Sequence, residues 1–111
     1  MQFATFHDLE DQSVFITGGG SGIGADLTKG FLSQGAKVTF IQRSNPEKFL
    51  AECEGKYKYE PTFIKCDVSH IEELKIALQT TAKEQGAVTV LVNNAANDTR
   101  HTLDKFTPEQ W

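Results

Sequence analysis

The regular alternation of two kinds of segment constrains the fold of this chain more than any other feature of its sequence. Short runs rich in β-branched and aromatic residues, each typical of a strand, are separated by stretches whose apolar residues recur at helical spacing. Strands are predicted at residues 13–17, 37–42, 59–65 and 88–92. Helices are predicted from Gly22 to a stop at 33–35, from Asn45-Pro46 to about Glu54, and from 71 to Gly86. Strands joined by helical crossovers pair in parallel, so we expect a doubly wound α/β fold that reaches its fourth strand and the start of the next helix.

Local signals indicate where these helices begin and which residues they bury. Ser69 and Glu72 have the spacing of a capping box at the start of the third helix. Pro61 has no amide hydrogen to donate, which favours an edge position for the third strand. The apolar stripes are expected to contain Ile23, Leu27, Phe31 and Leu32 in the first helix, and Ile71, Leu74, Leu78 and Ala82 in the third.

The strongest local signal is the stretch ITGGGSGIG, residues 16–24, where the first strand turns into the first helix. Gly18, Gly22 and Gly24 allow positive φ, close approach of the backbone to a pyrophosphate, and tight packing of helix on strand. The helix N-terminus offers free amides and a positive dipole end to phosphates, with Ile23 in its first turn, and Ser21 could add a hydroxyl donor. The alternative is a helix-entry turn that is glycine-rich without binding a ligand.

The spacing of this loop, T-G-x-x-x-G-I-G, resembles the cofactor loop of the short-chain dehydrogenase/reductase family. Two further stretches resemble the same family, CDV at residues 66–68 and NNAA at 93–96, where Ala96 replaces the family's Gly. The resemblance implies a Rossmann-like parallel sheet, with Asp67 and Val68 at the adenine and Asn93 beside the cofactor ribose. Two alternatives stay open: Asp67 as an ordinary loop cap, and Asn93 as a partner for backbone groups beside the central strand.

Cofactor choice depends on the end of the second strand, where a dinucleotide fold that prefers NAD usually has Asp or Glu for the ribose 2′-hydroxyl. This sequence has Gln42, Arg43, Ser44 and Asn45 there. No carboxylate would repel a 2′-phosphate, and Arg43 could pair with one through charge-assisted contacts. The sequence therefore favours NADP over NAD, with a solvated surface role as the alternative for Arg43.

The residues that would perform catalysis are not recognisable in this sequence. The resemblance implies a Y-x-x-x-K motif for proton transfer, yet Tyr57 is followed four places on by Pro61, and Tyr59 by Phe63. No residue is therefore assigned as catalytic. The final helix start, Thr107-Pro108-Glu109-Gln110, would precede the family's catalytic Asn. We expect the chain to be the cofactor-binding half of a longer oxidoreductase, inactive alone.

A second hypothesis is a non-catalytic nucleotide-binding or interaction module. Its apolar fourth strand would present an open edge able to pair with another chain.

The loop at residues 97–105 is polar and similar to that of sugar-oxidising family members, which favours a small, polar, sugar-like substrate. A charged surface loop is the commoner explanation for its Asp98, Arg100 and His101.

Charge and composition narrow the class of partner. A net charge of −4 and a pI near 5.3 argue against nucleic acid and anionic membranes as partners, and no apolar run is long enough to span a bilayer. Cys53 and Cys66 lack CxxC spacing, which favours free thiols in a reducing cytoplasm, and the scattered histidines do not indicate a metal site. The family resemblance also implies a homo-oligomer for the full-length protein.

Overall fold

A computed structural model describes residues 9–20 and 22–94 of the protein. Within these ranges three helices alternate with four strands, as the sequence predicts. The strands are β1 (Ser13–Thr17), β2 (Lys37–Gln42), β3 (Thr62–Lys65) and β4 (Val90–Asn93). The helices are α1 (Gly22–Ser33), α2 (Glu47–Cys53) and α3 (Ile71–Gln85). Ser21, the polar loop 97–105 and the helix start at 107–110 lie outside the described residues.

All four strands form one parallel sheet in the order β3-β2-β1-β4. From β1 the chain crosses to β2 and then β3 on one side, and it later returns to the other side of β1 to add β4. This reversal of direction places a topological switch point between β1 and β4, and ligands of open α/β sheets bind beyond the carboxyl ends of the strands at such a point. The doubly wound Rossmann-like prediction is confirmed, and β3 lies at an edge of the described sheet, as Pro61 indicates.

The core is divided between the two faces of the sheet, because successive side chains of a strand point to opposite faces. Val14 and Ile16 of β1 pack with Leu32 of α1 and Phe49 of α2 on one face. Phe15 packs on the other face, in a cluster with residues of β2 and α3. This second cluster contains Phe15, Ile41, Cys66, Val68, Leu74, Ala77 and Leu78. Helices therefore pack against both faces of the sheet, so a ligand site would lie at the ends of the strands.

Two strands differ from their predicted bounds. β3 begins at Thr62 and not at 59, because Pro61 has no amide hydrogen to donate to the ladder. The preceding Tyr59 donates its side-chain hydroxyl to Asp11, 2.6 Å away. β4 spans Val90–Asn93 and not 88–92, because its bounds follow those of β1: Val90 pairs with Val14 and Asn93 with Thr17. Asn93 is therefore the last residue of the strand.

The helix faces and caps also differ in part from the predictions. Ile23 is 73% exposed and does not join the buried face of α1, where Gly24, Thr28, Gly30 and Leu32 are buried. On α3 the predicted Ala82 is exposed, and the buried stripe is Leu74, Ala77, Leu78 and Thr81. These stripes follow the surface of the sheet, which accepts small and hydroxyl residues where the helix backbone comes close.

The predicted capping box of α3 does not form. His70 occupies the N-cap position without a side-chain cap, while Ser69 bonds to the Asp67 carboxylate two residues earlier. The chain forms an Asx turn there, which competes with capping of the helix. At α2 the N-cap residue is Pro46, also without a side-chain cap, and Asn45 donates to the Glu47 carboxylate.

Candidate cofactor site

The glycine-rich loop joins the buried end of β1 to the first turn of α1. Gly18 and Gly22 have φ values of 70° and 56°, so both turn the chain through the left-handed region that favours glycine. The Gly18 amide donates to Ile41 O at 2.7 Å, which fixes the beginning of the loop against β2. The loop thus leaves the sheet between β1 and β2, and α1 begins beside its carboxyl edge.

Gly24 brings α1 onto the loop by close approach. A Cβ built on Gly24 would lie 1.8 Å from Gly18 O and 2.6 Å from Asn94 Nδ2, so no larger residue fits. Thr28, one turn further along α1, is fully buried, with its hydroxyl 2.8 Å from Gly24 O and 3.0 Å from Gly19 O. Together these contacts hold the first turn of α1 against the loop, with the helix N-terminus at the carboxyl edge of the sheet.

The end of β4 bonds to the last residue of β1 and to the start of the glycine-rich loop. Asn93 accepts a hydrogen bond from the Thr17 hydroxyl at 3.2 Å, and the same hydroxyl accepts from the Asn94 amide at 2.9 Å. The Asn94 side chain donates to Gly18 O at 3.0 Å. Within this stretch, the side chain of Asn94 bonds a backbone group and the side chain of Asn93 bonds the Thr17 hydroxyl, and Asn93 is exposed at the carboxyl end of β4.

Gln42, the last residue of β2, bonds to the glycine-rich loop through its side chain. Its side-chain oxygen accepts from the Gly20 amide at 3.0 Å, and its side-chain nitrogen lies 2.9 Å from Ser44 O and 3.2 Å from Ser44 Oγ. The same side chain therefore contacts both the glycine loop and the loop after β2.

Arg43 lies next to Gln42, with its side chain 80% exposed. Its guanidinium nitrogen is 3.9 Å from the Asp67 carboxylate, at the long limit of an ion pair, so the cation is largely free to meet an anion from solvent. Asp67 follows β3, and its other carboxylate oxygen accepts from the Ser69 amide at 2.9 Å and hydroxyl at 2.7 Å. These hydrogen bonds, from the hydroxyl first, hold the pKa of Asp67 below its usual range.

The two apolar residues proposed for the site differ in what they present. Val68 is buried in the cluster under α3, so its side chain belongs to the core. Ile23 is exposed in the first turn of α1, beside the glycine loop. Cys66, just before Asp67, is a buried free thiol, and desolvation raises its pKa to about 11, which makes it an unreactive core residue.

Asp67 is also fixed from α3. Its backbone amide donates to Glu73 Oε1 at 3.3 Å, and the other carboxylate oxygen of Glu73 lies 2.8 Å from His70 Nδ1. The hydrogen bond to Glu73 raises the pKa of His70, and the same contact lowers the pKa of Glu73. The first turn of α3 thereby orients the loop that the family resemblance assigns to adenine.

The structure brings most of the sequence-predicted residues to one edge of the sheet. Gly18, Gly22, Ile23, Gly24, Arg43, Asp67 and Asn93 all lie at or just beyond the carboxyl ends of the strands or in the first turn of α1. The sequence did not predict the contacts made by Thr17, Thr28 and Asn94. Gln42 was noted only because it lacks the carboxylate that NAD-preferring folds usually have at this position. No local pattern reveals a contact such as Gln42 with Gly20, which are 22 residues apart.

This combination of a parallel sheet in the order 3-2-1-4 with a glycine loop at its switch point defines a dinucleotide-binding α/β fold. The family model for short chain dehydrogenases matches residues 12–111, and the chain belongs to the short-chain dehydrogenase family.

The relatives include two enzymes named for sugars. The chain is 43% identical over 109 residues to "Probable galactose dehydrogenase GalD" of Rhizobium meliloti, covering 96% of this chain and 42% of that protein. It is 41% identical to D-xylose 1-dehydrogenase of Caulobacter vibrioides, covering 100% of this chain and 44% of that protein. Among solved structures, the ligand-free aldohexose dehydrogenase of Thermoplasma acidophilum matches with a TM-score of 0.66 and 35% identity, over 80% of this chain and 31% of that one. The chain spans less than half the length of each.

Across residues 9–20 and 22–94, no helix combines the length and the apolar character needed to cross a membrane. Over the same ranges, no three His, Cys, Asp or Glu side chains come together in a way that could hold a metal ion.

Proposed function

We propose that this chain is the cofactor-binding part of an NADP(H)-preferring oxidoreductase that transfers hydride between the nicotinamide and a hydroxyl or carbonyl carbon. One observation carries the proposal: the glycine loop is seated against the N-terminus of α1 at the switch point of the sheet, with Gly24 in contact with Gly18 O. Free amides and the helix dipole at this position suit a pyrophosphate. Gly18, Ser21, Gly22, Ile23 and Gly24 would then surround the phosphates.

Preference for NADP(H) rests on the residues after β2. Gln42 supplies a neutral amide where an NAD-preferring site usually has a carboxylate, and Arg43 extends an exposed guanidinium from the next position. Among the described residues the anion nearest to Arg43 is Asp67, at 3.9 Å, and a 2′-phosphate with two negative charges would compete well with it. NAD(H) is the alternative cofactor.

The rest of the cofactor would lie along the same edge. Asp67, held by Ser69 and Glu73, would meet the adenine amino group, and Val68 would contribute only backbone. Asn93, exposed at the end of β4, would approach the ribose beside the nicotinamide.

A small, polar substrate of the sugar class is supported by the names of two relatives and one solved structure, all sugar dehydrogenases. Proton transfer would require a Tyr and Lys supplied outside the present sequence, since neither Tyr57 nor Tyr59 begins a Y-x-x-x-K motif. We expect the 111-residue chain to bind cofactor without turnover. Its two free thiols, Cys53 and Cys66, support a reducing compartment such as the cytoplasm.

The test is the affinity of the chain for the two cofactors, measured by calorimetry with wild type and Arg43→Ala. We expect wild type to bind NADP(H) more tightly, and Arg43→Ala to weaken NADP(H) by roughly 10-fold to 150-fold while leaving NAD(H) unchanged, since a charge-assisted contact contributes about 1.5–3 kcal/mol. Lys83→Ala is the matched control, because Lys83 is an exposed cation in the last turn of α3, at the opposite end of the sheet.

Two outcomes would count against the proposal. Equal affinity for both cofactors, unchanged by Arg43→Ala, would remove the NADP(H) preference and leave a dinucleotide site. Binding of neither cofactor would favour the other hypothesis, an interaction module that pairs through β4.

A further inference from the structure

We infer that Gln42 is a positioning residue that joins the phosphate loop to the loop carrying Arg43. The inference rests on the proposed cofactor site and goes beyond the absence of charge at this position. In this role Gln42 sets the affinity for NADP(H) and NAD(H) alike, whereas Arg43 sets the difference between them.

The orientation of the Gln42 amide follows from the chemistry of its two partners. The Gly20 amide can only donate, so it must face the side-chain oxygen, 3.0 Å away. The Ser44 carbonyl can only accept, so it must face the side-chain nitrogen, 2.9 Å away. Both requirements select the same orientation, and a side chain that is both donor and acceptor meets them together.

The contact with Gly20 is tightly packed as well as hydrogen-bonded. A Cβ built on Gly20 would lie 2.5 Å from Gln42 Oε1 and 3.0 Å from Pro46 Cβ. Gly20 therefore lies directly against the Gln42 amide and the residue that precedes α2. Movement of the loop after β2 would be transmitted to the glycine loop through this contact.

The consequence for binding follows from where each loop meets the cofactor. The glycine loop would hold the pyrophosphate, which NADP(H) and NAD(H) share, and the loop after β2 would meet the ribose that differs. Loss of the Gln42 contacts frees both loops, so each cofactor must order them again on binding. A carboxylate at position 42 could still accept from Gly20 but could not donate to Ser44 O.

The experiment uses the full chain and two readouts, hydrogen exchange of the Gly20 amide by NMR without cofactor, and calorimetric affinities for NADP(H) and NAD(H). Gln42→Met keeps the length of the side chain and removes both polar groups. We expect faster Gly20 exchange and a roughly threefold to tenfold loss of affinity for both cofactors, with their ratio unchanged. The control is Gln79→Met, the same change at an exposed position of α3.

Gln42→Glu separates the two contacts and also serves if Gln42→Met fails to fold. We expect this variant to retain slow Gly20 exchange, because the acceptor is kept, and to lose NADP(H) affinity more than NAD(H) affinity, because it adds a charge beside the 2′-phosphate. Unchanged Gly20 exchange in Gln42→Met, fast exchange in Gln42→Glu, or a Gln42→Met effect confined to one cofactor would overturn the inference. If wild type bound neither cofactor, the proposed function would fail, and Gly20 exchange would still decide whether Gln42 holds the loop.

Discussion

At the scale of single residues, the site depends on atoms placed closer together than ordinary side chains permit. Gly24 lies so near Gly18 O that even a methyl group is excluded, whereas Gly55, with a φ of 70°, has open space where a Cβ would lie. The two glycines are thus required for different reasons. Gly24 is required by its neighbours and Gly55 by its own backbone conformation.

This difference predicts unequal costs for the same substitution. Gly24→Ala should lower the free energy of unfolding by about 2–4 kcal/mol and abolish cofactor binding, because the blocking atoms belong to a backbone that cannot rotate away. Gly55→Ala should cost about 1 kcal/mol, the strain of a left-handed alanine, and leave binding intact. Urea unfolding and calorimetry of both variants would measure this, and equal costs would show that the loop has room to relax.

At the scale of elements, α3 is held to the sheet by a polar contact as well as by its apolar stripe. Gln85, at the end of the helix, donates to Ser13 Oγ at 2.8 Å and to Lys37 O at 3.0 Å, and accepts from Thr39 Oγ1 at 2.9 Å. Ser13 and Thr39 are buried, so these groups depend on Gln85 for a partner in place of water. The contact fixes the far end of the helix whose first turn orients Asp67.

We therefore expect Gln85→Ala to lower the free energy of unfolding by about 2–3 kcal/mol, because the buried hydroxyls of Ser13 and Thr39 both lose their hydrogen bond to Gln85. Gln79→Ala, the same change at an exposed position of the same helix, should stay within about 0.5 kcal/mol of wild type. Urea denaturation provides both values. A loss in Gln79→Ala as large as in Gln85→Ala would attribute the effect to helix propensity.

At the scale of the whole molecule, the candidate site collects residues from every strand of the described sheet. The glycine loop follows β1, Arg43 follows β2, Asp67 follows β3, and Asn93 ends β4. These residues are distant in sequence and meet only because all four strands run in the same direction. A ligand at this edge would contact loops attached to both halves of the core, so its binding should stabilise the fold as a unit.

The expected result is a thermal unfolding midpoint that rises with cofactor concentration. At 100 times its dissociation constant, a ligand that binds only the folded state adds about 2.7 kcal/mol. At equal concentrations NADP⁺ should raise the midpoint more than NAD⁺, and Arg43→Ala should reduce that difference. Differential scanning fluorimetry measures the shift. A thermal unfolding midpoint that neither cofactor changes would contradict the proposed function.

The sequence by itself determined the elements and their order. Strand and helix periods, the glycine stop at Gly35 and the edge signal of Pro61 depend on interactions within a few residues, and the structure confirms the strand–helix alternation, the end of α1 at Ser33 and the edge position of β3. The glycine loop was identified for the same reason, since it follows a strand whose period is visible, whereas Asp67 and Asn93 were assigned through the resemblance of the CDV and NNAA stretches to the family. Whether these residues bind a dinucleotide stays a prediction.

The tertiary structure alone decided which faces were buried and which side chains met. Ile23 is apolar and yet exposed, Thr28 is polar and fully buried, and Ser69 bonds to Asp67 where a helix cap was expected. The bounds of β4 were fixed by its partner β1, and the contact of Gln42 with Gly20 joins residues 22 positions apart. Burial and strand pairing depend on which distant residues pack against a given residue in the fold, and the neighbouring sequence does not determine those contacts.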